Sequence, residues 1–335
     1  MILKSSIEKL MQGKHLDGIV CQQVLEEILD PNVSPLQIAA FLVLLHAKKE
    51  TAEELSTLVK TLRSKMIAVP IEMPVLDIVG TGGDGWNTVN ISTGSAILAA
   101  SCGVKVVKHG NRAVSSLAGS ADVLEALGIN IHLNADQVAQ CIHEVGISFC
   151  YSPNFHPVTQ SLRKIRKELN IPTTFNILGP LLNPAKASHM ILGVSNETFM
   201  PLMAEVLIQL ENKRSIIVHG NGLDEISCVG PIKITEIHHD KKIALIFDPL
   251  DFGFQRCAIE DLQGGDAKTN AELLLNTFKG KSGPIADTLI LNAAFALYIY
   301  GKHFSISDAI IHAHENLYDG SALTLLKKWT ECSYE

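Results

Sequence analysis

Three short stretches of this sequence gather residue types that handle anions and cations. The first is Gly80-Thr81-Gly82-Gly83-Asp84-Gly85, directly after the apolar run 76–79 and shortly before a helical stretch opening at Asn90-Ile91-Ser92-Thr93. Glycines admit positive φ and close backbone approach, and a helix N-terminus offers unpaired N–H groups and a favourable dipole. Strand, glycines and helix in that order can therefore cradle a phosphate. The loop lacks the Lys-Ser/Thr of a P-loop and the spacing of a dinucleotide fingerprint, and an ordinary tight turn is the alternative reading.

The second stretch follows the run 104–107 as Lys108-His109-Gly110-Asn111-Arg112-Ala113-Val114-Ser115-Ser116, and Gly119-Ser120-Ala121-Asp122 opens the next helix. Two cations, a histidine and small donors at the C-terminal end of a strand suit a ligand site of an open α/β sheet. The plainer alternative is a solvated loop with Ser120 or Asp122 as a helix cap. The third stretch leaves the run 216–218 as His219-Gly220-Asn221-Gly222-Leu223-Asp224-Glu225-Ile226-Ser227. Adjacent carboxylates normally face water, but beside a phosphate site they suit Mg²⁺. His109, His132, His143, His156, His189 and His219 show no zinc-type spacing, and the sequence forces no Ser-His-Asp arrangement.

The elements that must position these stretches follow from the apolar pattern. The first seventy residues read as a helical bundle, with Ile19, Val24, Ile28 and then Ile38, Phe41, Leu42, Leu45 at helical spacing. Ser34 before Pro35 marks one helix start, and Thr51 with Glu54 forms a capping box at another. From Met73 onward, short apolar runs at 75–79, 104–107, 147–151 and 216–218 alternate with helical stretches, which predicts a largely parallel sheet flanked by helices. The fold class is therefore α/β, a small all-helical unit plus a larger α/β unit. Residues 158–185 interrupt the rhythm with a basic helix, Gln160–Leu169, and a turn rich in proline. They are expected to pack with the bundle, giving a small domain of 1–70 plus 158–185 and a large one of 71–157 and 186–335.

Composition narrows the function. With 335 residues, 47% apolar and 19% charged, the chain is long enough to bury a sizeable core. A net charge of −7 opposes a general nucleic-acid coat, so an anionic ligand must be held locally. Cys21, Cys102, Cys141, Cys150, Cys228, Cys257 and Cys332 are scattered without a Cys-x-x-Cys pair, and no signal peptide is read at Met1, which points to reduced thiols in a cytoplasm. The longest uncharged stretch around residues 85–104 carries too many polar groups to span a membrane.

Taken together the stretches resemble the anthranilate phosphoribosyltransferases, over nearly the whole chain. The signatures are GTGGD at 80–84, NIST at 90–93, KHGNR at 108–112, SS at 115–116 with GSADVLEALG at 119–128, FHP at 155–157, RKEL at 166–169, FNILGPLLNP at 175–184 and GLDEIS at 222–227. The resemblance implies transfer of a 5-phosphoribosyl group from phosphoribosyl pyrophosphate to the amine of anthranilate, with pyrophosphate released and Mg²⁺ as cofactor. It implies donor contacts from Gly80, Gly83, Asp84, Thr88, Asn90, Ile91, Ser92, Thr93, Lys108, His109, Gly110, Asn111, Arg112, Ala113, Val114, Ser115, Ser116 and Ser120. Gly80, Asn111 and Arg166 match the acceptor positions, and Ser92, Asp224 and Glu225 the metal positions. Without the family match, Arg166 would read as part of a solvated basic face with Arg163, Lys164 and Lys167. The family further implies a hinge between the two domains and a homodimer formed through the helical part.

The chain departs from the commonest family pattern at Val89, at Val158-Thr159 and at Asn170, positions that bear on the acceptor pocket. Two rivals remain on sequence. A pyrimidine nucleoside phosphorylase shares the fold, but normally has a further C-terminal domain for which this chain is too short. A nucleic-acid-binding relative without transferase activity is disfavoured by the intact KHGNR and DE stretches and by the negative charge.

Overall fold

The computed structural model describes residues 2–113 and 116–335, with the side chains of Gln160 and Ser161 outside that description. The chain opens with four helices, α1 (Ile2–Met11), α2 (Gly18–Ile28), α3 (Pro35–Lys48) and α4 (Ala52–Lys65). Thr51 and Glu54 form the expected capping box at the start of α4: the Glu54 N–H donates to Thr51 Oγ1 at 3.2 Å and the Thr51 N–H to Glu54 Oε2 at 2.8 Å. Ser34 stands at the N-cap of α3, but its hydroxyl makes no capping bond, and Pro35 alone marks that start.

The alternating part then begins with β1 (Leu76–Gly80), α5 (Ile91–Ser101), β2 (Val106–Gly110), α6 (Ser120–Ala126), α7 (Ala135–Glu144) and β3 (Ile147–Tyr151). A short helical excursion follows, α8 (Ser152–Phe155), α9 (Gln160–Leu169) and α10 (Thr174–Leu178), before β4 (His189–Gly193), α11 (Met200–Gln209) and β5 (Arg214–His219). The hairpin β6 (Ile232–His238) and β7 (Lys241–Phe247) leads to four helices, α12 (Ala267–Phe278), α13 (Pro284–Tyr300), α14 (Ile306–Tyr318) and α15 (Ser321–Cys332).

The seven strands form one sheet in the order β3-β2-β1-β4-β5-β6-β7. The pairs from β3 to β5 are parallel and the last two are antiparallel. Beyond the expected parallel part, β4 and the β6–β7 hairpin are additions. The hairpin's outer strand is exposed along most of its length and mixes lysines with apolar residues, so it carries no clean period-two signal.

One face of the sheet packs on α5 and α13–α15 around Ile78, Ile97, Leu289, Phe295 and Trp329. The other is continuous with the bundle: Met190, Leu192 and Ile217 of the sheet share a cluster with Phe41, Leu45 and Leu58. Leu162 and Ile165 of α9 and Phe175, Ile177 and Leu178 of α10 lie in that same cluster. The excursion after β3 thus buries its apolar side against the N-terminal helices.

Candidate active site

Strand order reverses direction between β1 and β4, which is where an open α/β sheet leaves a crevice at its carboxyl ends. Gly80 ends β1, Gly193 ends β4, and the two are register partners. The loop after β5 folds back onto this pair. A Cβ at Gly80 would lie 2.1 Å from Asp224 Oδ2, and one at Gly193 would lie 1.6 Å from the Asp224 carbonyl oxygen. Both glycines are there for close approach, and what approaches is the acidic loop. The Gly82 N–H donates to Asp224 Oδ2 at 2.6 Å, which ties the glycine loop to it.

Behind this contact the cluster continues inward. The Ser92 N–H, in the first turn of α5, donates to Glu225 Oε1 at 3.2 Å. The Lys108 ammonium donates to Ser92 Oγ at 3.1 Å and to the Ile78 carbonyl at 2.6 Å. Burial pushes the Asp224 carboxyl up, with Asp84 beside it adding to the rise. Burial and then Asp224 push Glu225 up as well, against the opposing pull of Lys108. Burial pushes the Lys108 ammonium down, while Asp77, Glu225 and Asp224 hold it charged. Three carboxylates and one ammonium leave the cluster with a negative surplus, and the buried pair is pushed toward protonation: a place that a hard cation would relieve.

The strand boundaries correct one expectation. The stretch at 108–110 belongs to β2 and is not loop. Strand alternation therefore sends Lys108 and His109 to opposite faces. The Lys108 ammonium joins Ser92, whereas the His109 ring lies against His156, edge-on at 5.2 Å between centroids. Burial, with His156 next to it, pushes His109 down to about 3.

Beyond β2, Asn111 turns the chain. Its carbonyl accepts the Ala121 N–H at 3.2 Å and its side-chain oxygen the Arg112 N–H at 2.8 Å. Asp122 Oδ2 accepts the N–H groups of Ala113 and Gly119, each at 2.9 Å, so this carboxylate shapes the loop into α6. Ser120 begins that helix close against Gly110, where a Cβ would lie 2.3 Å from the Ser120 hydroxyl. The Arg112 guanidinium is engaged by Asp122 and Glu125 at 2.9 and 2.5 Å. Ser116 Oγ donates to the Ala118 carbonyl at 3.3 Å. Val114 and Ser115 lie outside the described residues.

The remaining expected residues line the first loop. Gly83 has φ +79° with open space where a Cβ would stand, and the Trp86 N–H donates to Asp84 Oδ1 at 3.2 Å. Thr88 bridges Gln263, and Asn90 donates to the Ala118 carbonyl at 3.1 Å and accepts from Asn270 at 2.8 Å. Ile91 and Thr93 are buried in the start of α5, so only their backbone could face a ligand.

Arg166 sits on α9, apart from this cluster in its bonding. Its guanidinium donates to Asn176 Oδ1 at 3.4 Å and lies over the Phe175 ring at 5.6 Å. Burial, with Arg163 adding, lowers its pKa. A half-buried guanidinium without a carboxylate partner among the described residues is not the solvated cation that its basic neighbours suggest.

Several supporting residues were not singled out from the sequence. Asn292 of α13 is fully buried and holds the acidic loop, accepting from the Ile226 N–H at 3.3 Å and donating to its carbonyl at 2.7 Å. Asp77 and Asn183 are likewise fully buried and bonded to each other. Their signal was present: each is a polar residue inside or beside an apolar run.

Residues 72–323 match the family model described as glycosyl transferase family, a/b domain, and residues 4–66 match the helical bundle domain of the glycosyl transferase family. Fold and site together define a two-part glycosyl transferase. The anthranilate phosphoribosyltransferase of Chlamydia felis is 46% identical over 335 residues, covering 100% of this chain and 97% of that protein. The crystal structure of anthranilate phosphoribosyltransferase from Thermus thermophilus superimposes with a TM-score of 0.93 at 37% identity, over 98% of this chain and 99% of that one. The Saccharomyces cerevisiae enzyme in complex with PRPP and Mg gives 0.91 at 30% identity, over 99% and 98%. The chain belongs to the anthranilate phosphoribosyltransferase family.

Proposed function

We propose that this chain transfers the 5-phosphoribosyl group of phosphoribosyl pyrophosphate to the amine of anthranilate, as a step of tryptophan biosynthesis. The observation that carries the reading is the junction of Gly82, Asp224, Glu225, Ser92 and Lys108 at the switch point of the sheet. The relatives favour this activity over a nucleoside phosphorylase or a nucleic-acid-binding role.

The residues do the following. The glycine loop and the start of α5 bind the donor's phosphates through backbone N–H groups, with Lys108 supplying positive charge below them. Asn111, Gly110 and Ser120 hold the ribose side, together with the loop from Arg112 to Ser116. Ser92, Asp224 and Glu225 supply oxygen ligands for Mg²⁺, and the chemistry of that donor set fits a hard cation. When bound, Mg²⁺ neutralises charge on the pyrophosphate leaving group. Arg166 takes the acceptor's carboxylate, a bidentate task suited to a guanidinium. No protein nucleophile is needed: the amine attacks the ribose carbon as pyrophosphate departs, and the protein positions both substrates and excludes water.

In this reading the small domain comprises residues 1–70 and 158–185, and hinge closure brings Arg166 toward the donor. Exposed Met11, Ile19 and Leu36 on the bundle support a homodimer through the helical part. Seven free cysteines support a cytoplasmic location. The test is a coupled pyrophosphate-release assay. Release that requires anthranilate, donor and Mg²⁺ together is expected, whereas no pyrophosphate release, with free base liberated from a pyrimidine nucleoside by inorganic phosphate, would favour a phosphorylase.

A further inference from the structure

Resting on that reading, we propose that Asp77 and Asn183 form a buried clamp between the donor strands and the segment returning from the helical half. As positioning residues they set the separation at which the two substrates meet.

Both side chains are fully enclosed. Asn183 Nδ2 donates to Asp77 Oδ2 at 2.7 Å and to the Val107 carbonyl at 2.7 Å, and its Oδ1 accepts the Ala185 N–H at 2.9 Å. Asp77 Oδ1 accepts the His109 N–H at 3.3 Å. One amide thus touches β1, β2 and its own segment, with both its hydrogens and its oxygen engaged. Val107, whose carbonyl Asn183 holds, belongs to an apolar cluster with Val75, Cys150, Phe155 and Ala187. Burial pushes the Asp77 carboxyl up to about 6, opposed by the Lys108 charge, the Asn183 amide and the His109 N–H. A position needed only for packing would hold an apolar side chain more favourably. An ionised carboxylate, having only acceptor sites, can take donors from two separate segments at once.

The two arms reach the two substrate sides. Val107 and His109 flank Lys108, whose ammonium bonds Ser92, so the clamp fixes the backbone on both sides of the donor's cation. On the other arm, Asn183 directly follows Leu181 and Leu182, which share the bundle's core with Leu178, Phe175 and Ile165. Arg166 lies over Phe175. The placement of Lys108 and of Arg166 therefore traces back to a single hydrogen-bonded pair.

The experiment compares Asn183→Ala with wild type. Misplacing the acceptor side should raise the Michaelis constant for anthranilate and lower kcat, together about tenfold, since small displacements of reacting groups weigh heavily on rate. Affinity for phosphoribosyl pyrophosphate with Mg²⁺, measured by calorimetry, should fall as well but by clearly less than acceptor use, because Lys108 keeps its own bonds to Ser92 and the Ile78 carbonyl. A lowered Tm with both Michaelis constants unchanged, or donor affinity falling as much as acceptor use, would overturn the clamp. Should Asn183→Ala not fold, Asn183→Asp takes its place with the same readouts and the same overturning results, since it keeps an acceptor for the Ala185 N–H but cannot donate to Asp77 or to the Val107 carbonyl. If wild type is inactive toward anthranilate, the functional reading fails on its own. The clamp is then decided by amide hydrogen exchange in Asn183→Ala: faster exchange at both His109 and Ala185 is expected, and faster exchange at Ala185 alone contradicts it.

Discussion

The Gly82 N–H donates to the Asp224 carboxylate at 2.6 Å across 142 residues of chain, so the glycine loop and the acidic loop form one unit. The bond is made possible by Gly80 and Gly193, whose missing side chains let the Asp224 backbone and carboxylate rest directly on the ends of β1 and β4. A ligand held by the first loop is thereby held beside the second.

Replacing Asp224 with Asn and Glu225 with Gln together should remove the charge that holds Mg²⁺ while preserving the fold. Turnover should fall by about a hundredfold or more, in line with the loss of several kcal/mol of charge stabilisation. Steady-state rates at limiting Mg²⁺ check this, and near wild-type rates would mean that the pair serves only the loop's shape.

Gly80 and Gly83 should respond differently to a side chain. Gly80→Ala drives a methyl into the Asp224 carboxylate and should weaken metal and donor binding together. Gly83, at φ +79° with open space around it, tolerates no β-branched residue without strain, so Gly83→Val should weaken donor affinity by about tenfold while Gly83→Asn is milder. Calorimetry with donor and Mg²⁺ separates these outcomes, and equal affinity in all three proteins would reduce the loop to an ordinary turn.

How much of this was legible beforehand follows from where each signal lives. Glycines, charges and caps are local, so the GTGGD, KHGNR and DE stretches, the Thr51–Glu54 box and the helix Gln160–Leu169 stood out in sequence. The assignment of 108–110 to loop failed because Lys108 and His109 are polar, yet tertiary burial on both faces keeps them in a strand. Gly193, Asn183 and Asn292 act through contacts far away in the chain: the two asparagines stand out locally as polar residues beside apolar runs, but their partners do not. Arg112 adds what its type alone does not tell: its guanidinium is paired with Asp122 and Glu125 of α6.

Asp77 makes stability depend on pH. Its pKa, raised by burial from 3.8 to about 6, means that the folded chain holds this proton more tightly than the unfolded one. The stabilisation from the protonated form is complete below the unfolded value and is lost as pH rises through about 6. Relative to Asp77→Asn, wild type should therefore lose up to about 3 kcal/mol as pH rises from below about 4 to above about 6, most of it between those two values. Urea unfolding of both proteins across that range measures it, and a pH-independent difference would contradict the sign.

His109 should stay neutral throughout the working range, because burial and His156 push it down to about 3. Its imidazole resonances should not move between neutral and mildly acidic pH in an NMR titration. A midpoint near the ordinary histidine value would show that water reaches the ring.

The most direct measurement of the transfer reaction follows the loss of anthranilate fluorescence with Mg²⁺ and saturating phosphoribosyl pyrophosphate, for wild type and for Arg166→Ala. Wild type should consume anthranilate with matching release of pyrophosphate. Arg166→Ala should need about tenfold to a hundredfold more anthranilate with the donor's Michaelis constant little changed, as expected for a lost charge-assisted contact of about 1.5–3 kcal/mol. No loss of fluorescence by wild type at saturating donor would contradict the assigned activity, and equal shifts in both constants for Arg166→Ala would contradict the acceptor site.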